Sequence, residues 1–154
     1  MKIFLWSVGK PNEPYVKEGV DLFTKRIAHY YPVEWKIFQP SKSNNNVQAK
    51  KDECMQLINA IQKDDVLVAL DERGKEWSSI ELAKFIEINA NKSTKNLIFI
   101  IGGAYGLHDD VLKRCNHKWS LSRLVFPHQL VRLILSEQLY RACTIIRNEK
   151  YHHT

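Results

Sequence analysis

The run NLIFII at Asn96 to Ile101, followed at once by GGAYGL, constrains the fold of this chain more than any other stretch. A short unbroken apolar segment suits a strand buried on both faces, which parallel sheets require because helices cover them from both sides. Asp65 to Leu70 reads as a second strand of this kind, and residues 2–8 (KIFLWSV) and 33–38 supply two more. Helical periodicity fills the gaps. Val16, Val20, Phe23 and Ile27 recur on one stripe of a helix over residues 15–30, which Pro32 terminates. A second helix is predicted over about residues 47–62. Ser78 and Glu81 are spaced as a capping box and start a third, through about Ala90. After the glycine loop come a short helix, a strand near Lys118 to Ser122 and a long helix from His128 to about Arg147. This alternation predicts an α/β fold with a mainly parallel sheet and helices on both faces. No repeat or linker divides residues 1–154, so one domain is expected.

Residues 39–46 (QPSKSNNN) form the only low-complexity stretch and are expected to be a mobile surface loop, as the segment DERGKEW at 71–77 is expected to be a loop. The three cysteines are scattered and never form CxxC, which argues against a disulfide framework or a zinc site and for a reducing compartment. No metal is expected. No apolar run approaches the roughly 18 residues of a membrane span, and Met1 to Val8 lacks the pattern of a signal peptide. A cytoplasmic protein with no membrane partner is therefore expected. Lys and Arg exceed Asp and Glu by 23 to 17. From His108 onward there are eight basic residues against four acidic, and five of the six histidines. An anionic partner of this protein should meet its C-terminal third.

Three segments carry chemistry. Gly102, Gly103 and Gly106 follow a central strand, the default ligand position of an open α/β sheet, although they also suit a tight turn. Their GGxxG spacing is not a dinucleotide fingerprint, and no GK[ST] marks a phosphate loop. Trp119 to His128 (WSLSRLVFPH) combines an apolar wall, hydroxyls and a proline turn. It fits either an adenine pocket or an edge strand with a turn. The terminal helix places Val131, Leu135, Leu139, Ala142 and Ile146 on one stripe. Leu130, Leu133, Ile134 and Ile145 widen its apolar surface, which suggests a homodimer interface. Glu137 and Arg141 are four apart and suit an i,i+4 pair, while Arg132 stands amid apolar neighbours and needs an anion to face. The tail NEKYHH either frays or stacks on a base beside phosphate.

Taken in order, IGGAYGL, WSLSRLVFPHQLVRLILSEQLYRA and NEKYHH closely resemble the ribosomal large-subunit pseudouridine methyltransferase family RlmH, and the similarity extends back through LDERGKEW to MKIFLWSVGK. The resemblance implies the SPOUT fold with a C-terminal trefoil knot, a homodimer and S-adenosylmethionine as methyl donor. It implies methylation of N3 of a pseudouridine in helix 69 of 23S rRNA, on assembled 70S ribosomes. Carried over by motif, Leu70, Gly102, Gly103, Leu121, Ser122, Arg123, Leu124, Val125 and Phe126 bind the cofactor, and Pro127 and His128 close that loop. Tyr151 and His152 sit near the methyl donor and the incoming base. Arg132, Glu137 and Arg141 face RNA or the second subunit, with His153 as a further cation. Ala104-Tyr105 stands where some members carry Pro-Glu, so side chains there are not essential. His153-Thr154 stands where others have a basic residue, so His153 is not expected to be a unique catalytic group. Histidine titrates near neutrality, so His152, or else His128, is expected to take the N3 proton while Tyr151 positions the base. The competing expectation is a non-catalytic RNA- or ribosome-binding protein on the same scaffold, for which basic residues alone suffice.

Overall fold

A computed structural model describes residues 1–153; Thr154, the last residue of the tail, lies outside the described residues. Five strands and five helices follow in the order β1 (Lys2–Val8), α1 (Pro14–Ile27), β2 (Val33–Phe38), α2 (Asn46–Ala60), β3 (Val66–Glu76), α3 (Ser79–Asn91), β4 (Asn96–Ile101), α4 (Asp109–Arg114), β5 (His117–Ser120) and α5 (His128–Ile146). All pairings are parallel, in the strand order β2-β1-β4-β3-β5. β4 is central and β1 and β3 flank it, Leu5 opposite Phe99 on one side and Val68 opposite Phe99 on the other.

The period of two along β4 sorts its side chains between two cores. Leu97, Phe99 and Ile101 face Ile27 of α1, Leu82 and Ile86 of α3, and Leu135 and Leu139 of α5. Ile98 and Ile100 face the opposite core, with Leu57 of α2 and Val111 and Leu112 of α4. That is why Leu97 to Ile101 carries no polar residue. At the start of α3, Ser78 accepts from the Glu81 amide while the Glu81 carboxylate accepts from the Ser78 amide, closing the predicted capping box.

Three expectations need correction. DERGKEW is not a free loop: β3 runs on to Glu76, with a register shift between Leu70 and Lys75, and Lys75 then pairs with Trp119. The segment is polar enough to read as a loop, but a parallel neighbour supplies the ladder. Residues 39–46 are not a loose loop either. Ser41 Oγ donates to Asp52 at 2.8 Å and the Asn45 side chain accepts from the Val47 and Gln48 amides, capping α2. In α5 the buried face carries Leu135, Leu139 and Ala142 as predicted, but it also takes in Arg132, Ser136 and Thr144. Val131 and Ile146 are only half-buried.

Candidate active site

Leu70 of β3 lies between Ile101 at the end of β4 and Trp119 near the end of β5. At these strand ends lies a cavity of about 540 Å³ whose lining includes Leu70, Gly102, Gly103, Leu121, Ser122, Leu124, Val125, Phe126 and His128, together with Trp119, Val131, Lys50 and the charged Asp71, Glu72 and Arg73. That volume lies in the range of small-molecule sites. Among the described residues, only Leu124 in the stretch Leu121 to Phe126 has its amide paired within the chain, to Ser122 Oγ at 3.0 Å. The other amides remain as donors beside an apolar wall of Leu70, Leu121, Phe126 and Val131. An apolar wall with free backbone donors suits a flat heteroaromatic group with a polar edge. Behind the glycine loop stands Glu53 of α2. A Cβ at Gly103 would lie 2.7 Å from Glu53 Oε1, so any larger residue there would displace the carboxylate or the loop. Burial pushes the Glu53 carboxyl above its usual range, although the Ser41 amide pulls it down.

The first turn of α5 borders this cavity through His128. Burial, and then the charge of Arg132, holds the His128 imidazole below its usual range, so it is neutral at neutral pH. Arg132 itself is fully buried. Its Nε donates to Ser7 Oγ at 2.8 Å, and its Nη1 donates to the Lys10 carbonyl at 2.8 Å and to Asn12 Oδ1 at 2.9 Å. Its Nη2 is buried without a partner among the described residues. The anion expected for Arg132 is thus replaced by three neutral acceptors, one in β1 and two on the β1–α1 connection. The side chain faces neither solvent nor RNA, because burying it beside fixed dipoles satisfies most of its donors.

The far end of α5 is built differently. Glu137 Oε1 accepts from Arg141 Nη2 at 2.6 Å, from Arg141 Nε at 3.0 Å and from the Tyr151 hydroxyl at 3.1 Å. Arg141 also lies 4.7 Å over the Tyr151 ring, and its Nη1 is 3.2 Å from His152 Nδ1. The Tyr151 ring packs edge-on against Tyr140, with centroids 4.7 Å apart. Burial, and then the Glu137 bond, raises the Tyr151 hydroxyl above its usual range, so its proton stays in place. The tail is therefore docked rather than frayed.

Residues 1–152 match the family described as predicted SPOUT methyltransferases. The chain is 47% identical to a ribosomal RNA large subunit methyltransferase H of Cytophaga hutchinsonii, over 99% of this chain and 100% of that one. It is 40% identical to a protein of the same name from Parabacteroides distasonis, with 99% of each chain covered. This chain belongs to the SPOUT family, in its RlmH branch. A solved structure of a putative RNA methyltransferase from Bacillus anthracis superposes with a TM-score of 0.55 at 13% identity, covering 92% of this chain and 94% of that one. At that identity the likeness shows the fold.

The sequence-predicted residues fall into two groups. Leu70, Gly102, Gly103, Leu121, Ser122, Leu124, Val125, Phe126 and His128 meet around the cavity, while Arg123 is exposed and does not line it. Tyr151, His152 and Arg141 meet at the other end of α5, and His153 is exposed beside them. Arg141, Tyr151 and His152 are not among the residues that line the cavity. Sequence reading missed Glu53 and Lys50 on α2, Ser7 and Asn12 around Arg132, and the Glu137–Tyr151 bond. Only the Glu137–Arg141 spacing signalled any of them. It also missed a grouping of Cys54, His108 and Asp110, whose donor atoms lie within 4.8 Å of one another across α2 and the start of α4. His108 Nδ1 there accepts from the Asp110 amide at 3.0 Å, and burial raises the Cys54 thiol above its usual range. No described helix is long and apolar enough to cross a membrane.

Proposed function

We propose that this protein transfers a methyl group from S-adenosylmethionine to N3 of a pseudouridine in helix 69 of 23S rRNA, on assembled 70S ribosomes. The observation that carries this reading is the cavity at the strand ends, with its apolar wall and, Leu124 apart, unpaired amides between Leu121 and Phe126. The residues fit the cofactor. Leu70, Leu121 and Phe126 would cover the adenine faces, the free amides would read its edge, and Gly102 and Gly103 would let the backbone approach. The bound cofactor supplies a sulfonium, which already contains a good leaving group. The chain must then align the nucleophilic nitrogen and the methyl carbon and keep water out.

The substrate end of the site is assigned to Tyr151, His152, Arg141 and His153. Because these stand away from the cavity in one chain, a homodimer is the arrangement that completes the site, the tail of one copy serving the cavity of the other. Leu124 and Val125, 71% and 86% exposed at the rim, are apolar surface that a second copy would cover. The net charge of +6 doubles in a dimer, which favours a polyanionic substrate. The same reading takes residues 1–154 as one cytoplasmic domain, without a resident metal, whose C-terminal segment threads a trefoil knot.

The decisive experiment is transfer of labelled methyl to purified 70S ribosomes, naked 23S rRNA and ribosomes lacking pseudouridine. Label on pseudouridine-containing 70S ribosomes alone is expected. Label on none of them, with no calorimetric binding of S-adenosylmethionine, would leave a non-catalytic RNA-binding protein.

A further inference from the structure

The protonation of His152 is dictated by its neighbour. A guanidinium has five N–H donors and no acceptor, so the nitrogen it contacts must offer a lone pair. Arg141 Nη1 lies 3.2 Å from His152 Nδ1, which makes Nδ1 the acceptor. A neutral imidazole with an unprotonated Nδ1 carries its proton on Nε2. One nitrogen is then engaged and the other already protonated.

The contact is firmly held. Arg141 is fixed by two bonds to Glu137 Oε1, at 2.6 and 3.0 Å, and by the Tyr151 ring 4.7 Å away. The Tyr151 hydroxyl donates back to the same carboxylate oxygen at 3.1 Å, and Glu137 Oε2 accepts from Gln138 at 2.8 Å. Donors therefore run inward to Glu137, and the imidazole at the outer end presents Nε2–H. The other ionisable groups around it are Tyr140 behind Tyr151, Arg26 of α1 over the Tyr140 ring, Tyr30 of α1 bonded to Glu149, and the neighbouring Lys150 and His153.

We infer that His152 is a hydrogen-bond donor to a carbonyl oxygen beside the methylated ring nitrogen, and not the base that takes the proton from that nitrogen. The inference rests on the methyl-transfer reading above. The ring N–H bond breaks and its proton passes to water. The electron pair stays on the ring and spreads onto the flanking carbonyl oxygens, where Nε2–H meets the growing negative charge. The ring nitrogen then bonds to the methyl carbon while the carbon–sulfur pair leaves with sulfur. Such a reaction accelerates steadily with pH through neutrality. A histidine base would instead level the rate above its own titration, near pH 6.5 for an ordinary imidazole.

The test compares the full-length protein with His152→Gln and His152→Ala in single-turnover methyl transfer to 70S ribosomes across neutral pH. It also reads the His152 tautomer of the protein alone by nitrogen-15 NMR. Glutamine keeps an amide N–H near the Nε2 position and has no group to titrate. His152→Gln should stay within about tenfold of the parent rate with the same rising profile, and His152→Ala should fall about 100-fold or more at every pH. The NMR should show a proton on Nε2 and none on Nδ1. Glutamine as slow as alanine, a plateau present only with histidine, or a proton on Nδ1 would each overturn the assignment. Absence of transfer by the parent protein would instead sink the methylation reading, and the tautomer is measured without substrate, so the two failures are told apart.

Discussion

Arg132 and Arg141 sit nine residues apart on α5 and are handled in opposite ways. Arg132 is fully buried, meets only a hydroxyl, a carbonyl and an amide oxygen, and leaves Nη2 unpaired. Arg141 keeps 24% of its side chain exposed and has a carboxylate, an aromatic face and an imidazole. A buried cation without a counter-charge is tolerable only where fixed dipoles replace its water, so Arg132 locks the β1–α1 connection onto the helix beside the cavity. A partly exposed, neutralised cation is inexpensive to hold and can present its neighbours outward, so Arg141 orients the tail. The same residue type thus serves the scaffold at one end of the helix and presentation at the other.

The comparison can be broken most directly at Arg132. Arg132→Ala should cost about 3 kcal/mol, because it leaves Ser7, Lys10 and Asn12 facing a void, and should lower Tm by about 10 °C in a thermal melt. A loss below about 1 kcal/mol would mean that the lock is not a lock. Gly9 tests the same site from the other side. Its φ is +143°, and a Cβ there would lie 3.1 Å from both Arg132 Nη2 and His128 Nε2. Gly9→Ala should cost about 1–2 kcal/mol in chemical denaturation. Arg141→Ala sharpens the contrast. It should change stability by less than about 1 kcal/mol, as a partly exposed i,i+4 pair does, yet slow methyl transfer at least about tenfold. A stability loss matching that of Arg132→Ala would erase the distinction.

The smallest effect is a pH dependence. The folded-state pKa of His128 lies below its unfolded value, so between the two the unfolded chain binds more protons. Its contribution is therefore complete above the unfolded pKa, about 6.5, and is lost as pH falls toward the folded one. His117, lowered by burial, acts in the same direction. Denaturation midpoints measured through mildly acid pH should decline, and His128→Gln should flatten part of that decline. An unchanged slope would show that burial at the first turn of α5 does not reach the imidazole.

Much of the scaffold was legible because its signals are local. NLIFII announced a strand buried on both faces, Val16, Val20 and Ile27 a helix stripe, and Ser78 with Glu81 a cap, each read within a few residues. The cavity was half legible, since Gly102, Gly103 and the 121–126 segment stand at the strand ends where ligands of such sheets bind. The extension of β3 through Glu76 was not legible, because its polar residues form a ladder only once β5 lies alongside. Nor was Glu53 behind Gly103, which needs α2 packed against the glycine loop.

By itself, then, the sequence determined the order of elements, the parallel α/β class, the basic C-terminal third and the segments able to hold a ligand. Periodicity, capping and turn chemistry act over a few residues and survive without the rest of the chain. Only the tertiary structure decided which cation would be buried and which presented. Arg132 finds Ser7 across 125 positions of sequence, and Tyr151 finds Glu137 across 14, through a carboxylate that also holds Arg141. Those partners are chosen by packing α5 against β1 and folding the tail back on it, because solvation and hydrogen-bond geometry depend on what lies nearby in space.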